Sequence, residues 1–297
     1  SIAQGNVTLE KKGVTGSDTA HAVGLDGVKF TLYRKSDTDG TYTAVADCTG
    51  KVTASGQIQF SNLRKGSYYI METGYADNAD AGYILDTKAK YAFAIDKEGK
   101  VAANTDLTGN DVVNETEGVF AISRTDSKLT VYNYKPDVEK TVTKRDGSNT
   151  VKNTDGTTVG NHEADYSVGD KVPYTLTIKV PENVAKLHTF KVVDTTLKDQ
   201  LKHIPEDFTL TATDKAGKAQ TLTEKDAYTK KITEDTDTDN KTTSILNVDF
   251  TTTALTSVAG GTITIKYYAT LGAGAAVADK GNLNTAKLLY SRTTDTS

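Results

Sequence analysis

The sequence predicts an all-β protein built from two β-sandwich domains in tandem, set end to end. Three observations lead there. Thr and Val are abundant and Tyr occurs 15 times, and all three residue types favour strands. Apolar residues recur at every second position in short runs, whereas the wider spacing of an amphipathic helix is nearly absent. Clusters of Gly, Asp, Asn and Ser separate the runs, as the turns of a sandwich require. A chain of 297 residues is long enough for two domains, each with its own core.

In chain order, the alternating runs of the first half are "NVTLEKK", "VKFTLYR", "QIQFSNL", "SYYIMET", "KYAFAID", "GVFAIS" and "KLTVYNY", with turns at "SDTDGTY", "ASGQ", "RKGS", "DNADAGY" and "DKEGK". The second half gives "DVEKTVTK", "KVPYTLTIKV", "HTFKVVDT", "FTLTATD", "SILNVDFT", "GTITIKYYATL" and "NTAKLLYS". Leu197 and Leu201 lie four apart in "VVDTTLKDQLKHI", which predicts a helical turn there. The stretch "TEDTDTDNKTT" reads as an acidic, polar, flexible loop. The seam is "YNYKPDVEK": one strand ends, Pro136 interrupts, and a new alternating strand begins. The expected domains are therefore 1–135 and 136–297, and the short linker predicts a semi-rigid rod.

Several function classes are excluded. Net charge is −4, with acidic and basic residues interleaved, so the basic footprint of a nucleic-acid binder is missing. Apolar runs fall far short of the roughly 18 residues of a membrane span, and no signal peptide is recognisable. A single cysteine, Cys48, permits no intrachain disulfide and reads as a bystander thiol in a loop. His21, His162, His188 and His203 show no metal-ligand spacing. Asp235, Asp237 and Asp239 are spaced like the start of a calcium loop, but Asn240 and Leu246 stand where that loop needs Gly and an acid. "GAGAAVADKGN" lacks the strand–turn–helix setting of a phosphate loop and reads as a turn. No cofactor or metal is expected.

The informative pattern is one of parity. Residues two apart on a strand share a face. In "VTLEKKG", Lys11 therefore shares the face of Val7 and Leu9 and points into the core. By the same rule Glu72 follows Tyr68 and Ile70, and Asn133 follows Leu129 and Val131. The second half repeats the set: Lys140 lies between Val138 and Val142, Asp194 follows Phe190 and Val192, and Asn284 precedes Ala286 and Leu288. Each polar group alone is costly to bury; together they can satisfy one another. Burial lowers a lysine pKa and raises that of a carboxylic acid. A neutral amine is a nucleophile, and a protonated acid can polarise the Asn amide and shuttle protons. Held at near-attack distance, the amine displaces ammonia from the amide, giving a Lys–Asn isopeptide bond between the first and last strands of each domain. Pulling on the termini would then load a covalent link instead of unzipping the sheet. Glu72 and Asp194 are the residues expected to promote this self-crosslinking, Lys11–Asn133 and Lys140–Asn284 the bonded pairs.

The same residues carry a resemblance. Through "VTLEKK", "LDGVKFTLYR", "FSNLRKGSYYIMET…AGY" and "LTVYNY", the first domain resembles the Cna-B type domain of Gram-positive surface proteins. Through "VEKTV", "VGDKVPYTLTIKVP", "FKVVDTTL" and "GNLNTAKLLYS", the second resembles the isopeptide-forming domain of sortase-assembled fimbrial subunits. The resemblance implies immunoglobulin-like (Cna-type) sandwiches in a pilin subunit of the shaft. Such a subunit would be extracellular, in a cell-wall-anchored pilus, joined to neighbouring pilin subunits by sortase-made linkages, with host surface ligands as further partners. It matches the six parity residues to the two crosslinking triads. Lys12 is an alternative to Lys11 with the wrong parity, Asn282 an alternative to Asn284, and Glu163, Glu206 and Glu224 are alternatives to Asp194. The "YPKN"-like motif of shaft pilins has only a swapped counterpart, "NYKP", which makes Lys135 the candidate for the polymerising lysine. The sequence contains no LPXTG-like sorting motif, and the resemblance leads to the expectation that a further C-terminal domain has been cut away. The competing readings are an adhesin stalk or tip module that binds a host protein or glycan, and a carbohydrate-active enzyme; the absence of Trp argues against sugar stacking in the latter.

Overall fold

The computed structural model describes residues 3–77, 81–152, 166–275 and 284–294, with 149–152 described by their backbone alone. It is all-β: among the described residues, helical structure is confined to short 3-10 segments such as Thr19–His21, Val184–Lys186 and Thr252–Val258. No helix among the described residues is long and apolar enough to cross a membrane. The chain forms two compact units, Ser1–Lys135 with Arg292–Ser297, and Pro136–Ser291.

The first unit contains strands β1 (Gln4–Thr15), β2 (Val23–Gly24), β3 (Val28–Lys35), β4 (Tyr42–Ala44), β5 (Lys51–Val52), β6 (Gln57–Arg64), β7 (Gly66–Tyr75), β8 (Lys90–Ile95), β9 (Val101–Ala102), β10 (Val112–Val113), β11 (Phe120–Ser123) and β12 (Lys128–Lys135). One sheet runs β11-β12-β1-β2, with β6 also on β1; the other runs β10-β8-β7-β3-β4, with β5 on β3 and β9 on β8. Between them lies a core that includes Val7, Leu9, Phe30, Leu32, Ile70, Phe93, Phe120, Leu129 and Val131. The first and last strands are neighbours and run parallel, with Lys11 opposite Val131 and Gly13 opposite Asn133. Residues after the second unit return here. Leu85 N–H donates to the Arg292 carbonyl and Thr294 N–H to the Leu85 carbonyl, both at 2.9 Å. The sequence-based division put 292–294 with the second domain; pairing of these backbone groups around Leu85 puts them with the first.

The second unit contains β13 (Asp137–Thr143), β14 (Asn149–Lys152), β15 (Lys171–Lys179), β16 (Phe190–Leu197), β17 (Leu201–Thr213), β18 (Ala219–Gln220), β19 (Tyr228–Thr236), β20 (Thr242–Phe250), β21 (Thr262–Leu271) and β22 (Asn284–Tyr290). Its sheets are β14-β13-β15-β21-β17-β18 and β19-β20-β16-β22. Here the first and last strands belong to different sheets. The helical turn expected around Leu197 and Leu201 is absent: β16 ends at Leu197 and β17 begins at Leu201. The β-branched residues before Leu197 pair with β20 and β22, and those sheet contacts override the local spacing. Much of the expected acidic loop is strand as well. β19 and β20 pair from Tyr228–Phe250 to Thr236–Thr242, and Asp237 closes the turn by accepting backbone N–H groups from Asp239 (2.8 Å) and Lys241 (2.9 Å).

Gly13 sits in the inward row of β1, where a Cβ would lie 2.5 Å from the Tyr83 ring. Glycine here serves close approach. Gly13→Ala is expected to displace Tyr83 and to destabilise the first unit by about 1–3 kcal/mol, the usual cost of overpacking, read as a lowered unfolding midpoint in denaturant.

Candidate functional site

All six residues singled out by parity are buried, at 0 to 2 % exposure. Lys140, Asp194 and Asn284 are joined by direct contacts; in the first unit Lys11 pairs with Glu72, and Asn133 lies on the same inward face as Lys11. The sheet irregularities leave their parity intact. The register shifts in β1 at Gly5/Val7, before Lys11, and in the β3–β7 pairing between Lys29 and Phe30, beyond Glu72.

In the first unit, Lys11 on β1 reaches across to β7 of the opposite sheet, its Nζ 2.7 Å from Glu72 Oε1. Nζ also donates to the Val131 carbonyl at 3.3 Å. Asn133 lies two residues beyond Val131 on the parallel neighbour β12, so its side chain shares the inward face of Lys11. Glu72 Oε2 accepts the Asp86 N–H at 3.1 Å. Asp86 Oδ1 accepts N–H groups from Lys88 (3.1 Å) and Ala89 (3.2 Å) and the Thr294 hydroxyl (2.9 Å). Burial pulls the Lys11 amine below its ordinary range, against the opposing charges of Glu72 and Asp86. Burial, with Glu72 and Asp86 nearby, pushes the Tyr91 phenol well above its ordinary value, so Tyr91 is a neutral neighbour. The Asn133 Nδ2 amide group is buried and has no hydrogen-bond partner among the described residues.

In the second unit, Lys140 on β13 contacts both Asp194 Oδ1 on β16 and Asn284 Oδ1 on β22 through its Nζ. The cluster therefore spans the two sheets. Two tyrosine rings enclose the amine, with Nζ 4.9 Å from the centroid of Tyr174 and 5.6 Å from that of Tyr267. The other carboxylate oxygen, Asp194 Oδ2, accepts the Tyr267 hydroxyl at 2.8 Å and lies 2.6 Å from His203 Nε2. His203 Nδ1 is 2.8 Å from Ser244 Oγ. The Asn284 Nδ2 group, like that of Asn133, is buried without a hydrogen-bond partner among the described residues.

Burial alone would raise the Asp194 pKa, as the sequence argument expected. The charge of Lys140, with the hydrogen bond from His203, outweighs it and brings the value down to about 2. The carboxyl is thus ionised in the uncrosslinked state, and the expectation of a resident protonated acid is corrected for this site.

The alternatives separate as follows. Lys12 is partly exposed, with Nζ 3.9 Å from Glu10 Oε2. Glu206 and Glu224 are exposed. Asn282 and Glu163 lie outside the described residues. Lys135 is half-buried, its Nζ 4.7 Å from the Tyr83 ring centroid and 3.5 Å from the Ala81 carbonyl. The sequence reading missed Asp86, Tyr174, His203, Ser244 and Tyr267. His203 and Tyr267 both continue inward-facing rows, after Leu201 and after Ile263 and Ile265, so parity could have found them.

Residues 5–110 match the family model "SpaA: Prealbumin-like fold domain". No curated protein matches the chain. Among solved structures, the chain is similar to the full-length major pilin SpaD from Corynebacterium diphtheriae, with 21% identity and a TM-score of 0.46 over 98% of this chain and 62% of that one. It is also similar to BcpA, the major pilin subunit of Bacillus cereus, with 19% identity and a TM-score of 0.47 over 96% of this chain and 63% of that one. The chain therefore spans less than two thirds of the length of these pilins.

The depressed Asp194 pKa sets a pH dependence wherever Lys140 keeps its charge, as in an Asn284→Ala chain. A folded-state pKa below the unfolded value of 3.8 contributes stability that is complete above that value and is lost as pH falls towards about 2. The second unit of Asn284→Ala is expected to lose about 2 kcal/mol between pH 5 and pH 2 through this group. Denaturant unfolding at a series of pH values checks it; a flat profile would show that the ion pair is not maintained.

Proposed function

We propose that this chain is a structural subunit of a covalently assembled Gram-positive surface pilus, and that each unit closes an intramolecular Lys–Asn isopeptide bond on itself. The observation that carries the reading is the recurrence of one arrangement in two differently connected sandwiches. In each, a fully buried lysine touches a buried carboxylate, and a buried Asn carries an amide NH2 group with no hydrogen-bond partner among the described residues. A buried, unmatched donor costs about 1–3 kcal/mol. Aminolysis of the amide expels that same nitrogen as ammonia and removes the lysine charge. One reaction thus relieves both of the unfavourable features of the core.

The chemistry follows from the geometry. The carboxylate (Glu72 or Asp194) takes a proton from Nζ. The freed amine attacks the Asn Cγ, the carboxyl passes its proton to Nδ2, the second Nζ proton returns to the carboxylate, and ammonia leaves. Tyr174 and Tyr267 exclude water from the amine of the second unit. The reaction happens once per bond and turns over no external substrate, so the protein is not an enzyme in the ordinary sense. The SpaA-type match over 5–110 supports the pilus assignment. It implies an extracellular, wall-anchored location and neighbouring pilin subunits as covalent partners through sortase-made linkages.

Intact mass of the purified protein tests the bonds directly, since each lost ammonia removes roughly 17 Da. A deficit of about 34 Da is expected; a mass equal to that of the sequence would overturn the proposal. Glu72→Ala is expected to retain the ammonia of the first unit alone, halving the deficit. A Glu72→Ala chain still short by about 34 Da would exclude Glu72 as the proton carrier. Lys11→Ala is expected to leave the first unit folded but less resistant to heat and protease, because the covalent tie is gone and its polar partners stay buried.

A further inference from the structure

The Asp194 carboxylate is held from behind by a group that the crosslinking reaction never touches. Its Oδ1 faces Lys140; its Oδ2 is engaged by Tyr267 (2.8 Å) and His203 (2.6 Å). His203 is buried at 2 % exposure and is itself held by Ser244 on β20. Ser244 Oγ accepts the His203 backbone N–H at 3.2 Å and stands 2.8 Å from its Nδ1. A hydroxyl that already accepts the backbone N–H can give its own proton to Nδ1. That leaves Nε2 carrying the ring proton and donating it to Asp194 Oδ2. In the first unit, among the described residues, Glu72 Oε2 takes a backbone N–H in the equivalent place.

We infer that His203 is a positioning residue for self-crosslinking of the second unit: its Nε2–H pins Asp194 Oδ2 so that Oδ1 alone receives the Lys140 proton and hands it to Asn284 Nδ2. The inference rests on the crosslinking reading above and deepens it. The bond changes are those already given: Nζ–Cγ forms, Cγ–Nδ2 breaks, and ammonia carries away the transferred proton. His203 enters only through Oδ2. The charged and titratable groups facing it are Asp194 from β16 and Tyr267 from β21, with Lys140 of β13 beyond the carboxylate; Ser244 of β20 faces its other nitrogen. Protonating the imidazole places a second positive charge beside Asp194 and makes the carboxylate a poorer acceptor for the Lys140 proton. Crosslinking of the second unit should therefore slow in acid in a way that depends on His203.

The test uses the full chain made by cell-free translation, diluted into buffers from about pH 5 to pH 8, quenched at intervals and peptide-mapped. The Lys140–Asn284 peptide reports the reaction, and the Lys11–Asn133 peptide of the same molecule is the control. His203→Leu is expected to slow the Lys140–Asn284 bond by about tenfold to a hundredfold, less than a full proton-transfer contribution because His203 acts only through Asp194, and to leave Lys11–Asn133 unaffected. His203→Gln, whose side-chain amide can still donate to Oδ2, is expected to recover much of the rate at pH 8 and to lack the acid limb of the wild-type profile. Wild-type rates in His203→Leu, or the same acid limb in His203→Gln, would overturn the inference. Should His203→Leu fail to fold, the profile of His203→Gln decides. A wild-type chain that never forms the Lys140–Asn284 peptide overturns the crosslinking reading of this unit, and the role of His203 with it. That outcome is distinct from an intact reaction indifferent to His203.

Discussion

A lysine amine buried in the middle of a β-sandwich is the constraint around which both units are arranged. Taking an ammonium out of water costs several kcal/mol even after the surroundings relax, and a single carboxylate recovers only part of that. The amine can survive at 0 % exposure only where strands from both sheets bring acceptors to it. In the first unit this demands that β1 face β7, so that Lys11 meets Glu72, and that β12 lie beside β1, so that Val131 offers its carbonyl. In the second it demands that β13 approach β16 and β22 across the sandwich. The apolar residues on either side, Leu9 and Val131 in one unit and Val138 and Val142 in the other, keep water out and so make the polar contacts stronger and their loss more damaging.

The two clusters meet this constraint with different electrostatics. Around Lys11 burial dominates, and the amine is drawn towards its neutral form. Around Lys140 the carboxylate is the better-defined partner: His203 and Tyr267 support its charge, and Asp194 is ionised down to about pH 2. One site thus favours a ready nucleophile and the other a ready base. Both routes lead to the same proton inventory, which is why a glutamate held by a backbone N–H and an aspartate held by side chains can occupy corresponding places.

Much of this was legible in the sequence, because a strand's period of two is rigid. "VTLEKKG" assigns Lys11 to the face of Val7 and Leu9 with no knowledge of the partner strands. The rule held for the strands carrying Glu72 and Asn133 because the bulges fall away from those residues. What periodicity could not supply was the pairing between strands: that β1 and β12 run parallel in one sheet, whereas β13 and β22 lie in opposite sheets, is settled by long-range contacts. His203 escaped for a different reason. Leu197 and Leu201 suggested a helical turn, so the strand rule was not applied to "LKHI", although Leu201 and His203 do share an inward face. The direction of the Asp194 pKa also needed coordinates, since burial and charge pairing push oppositely and only distances decide which wins.

The placement of the bridgehead residues near the ends of each unit's chain has a consequence for extensibility. Lys11 lies on the first strand of its unit and Asn133 on β12, its last; Lys140 lies on the first strand of the second unit and Asn284 on its last. If the proposed bonds close, nearly all of each unit would become a covalent ring, and the residues inside it would no longer carry load. At roughly 3.4 Å per extended residue, each ring withholds on the order of 400–500 Å of chain that an unlinked sandwich would release on unfolding. Such a tether stays short under tension but gives up the capacity to dissipate work by unravelling, so sudden loads pass through it undamped to whatever lies at either end.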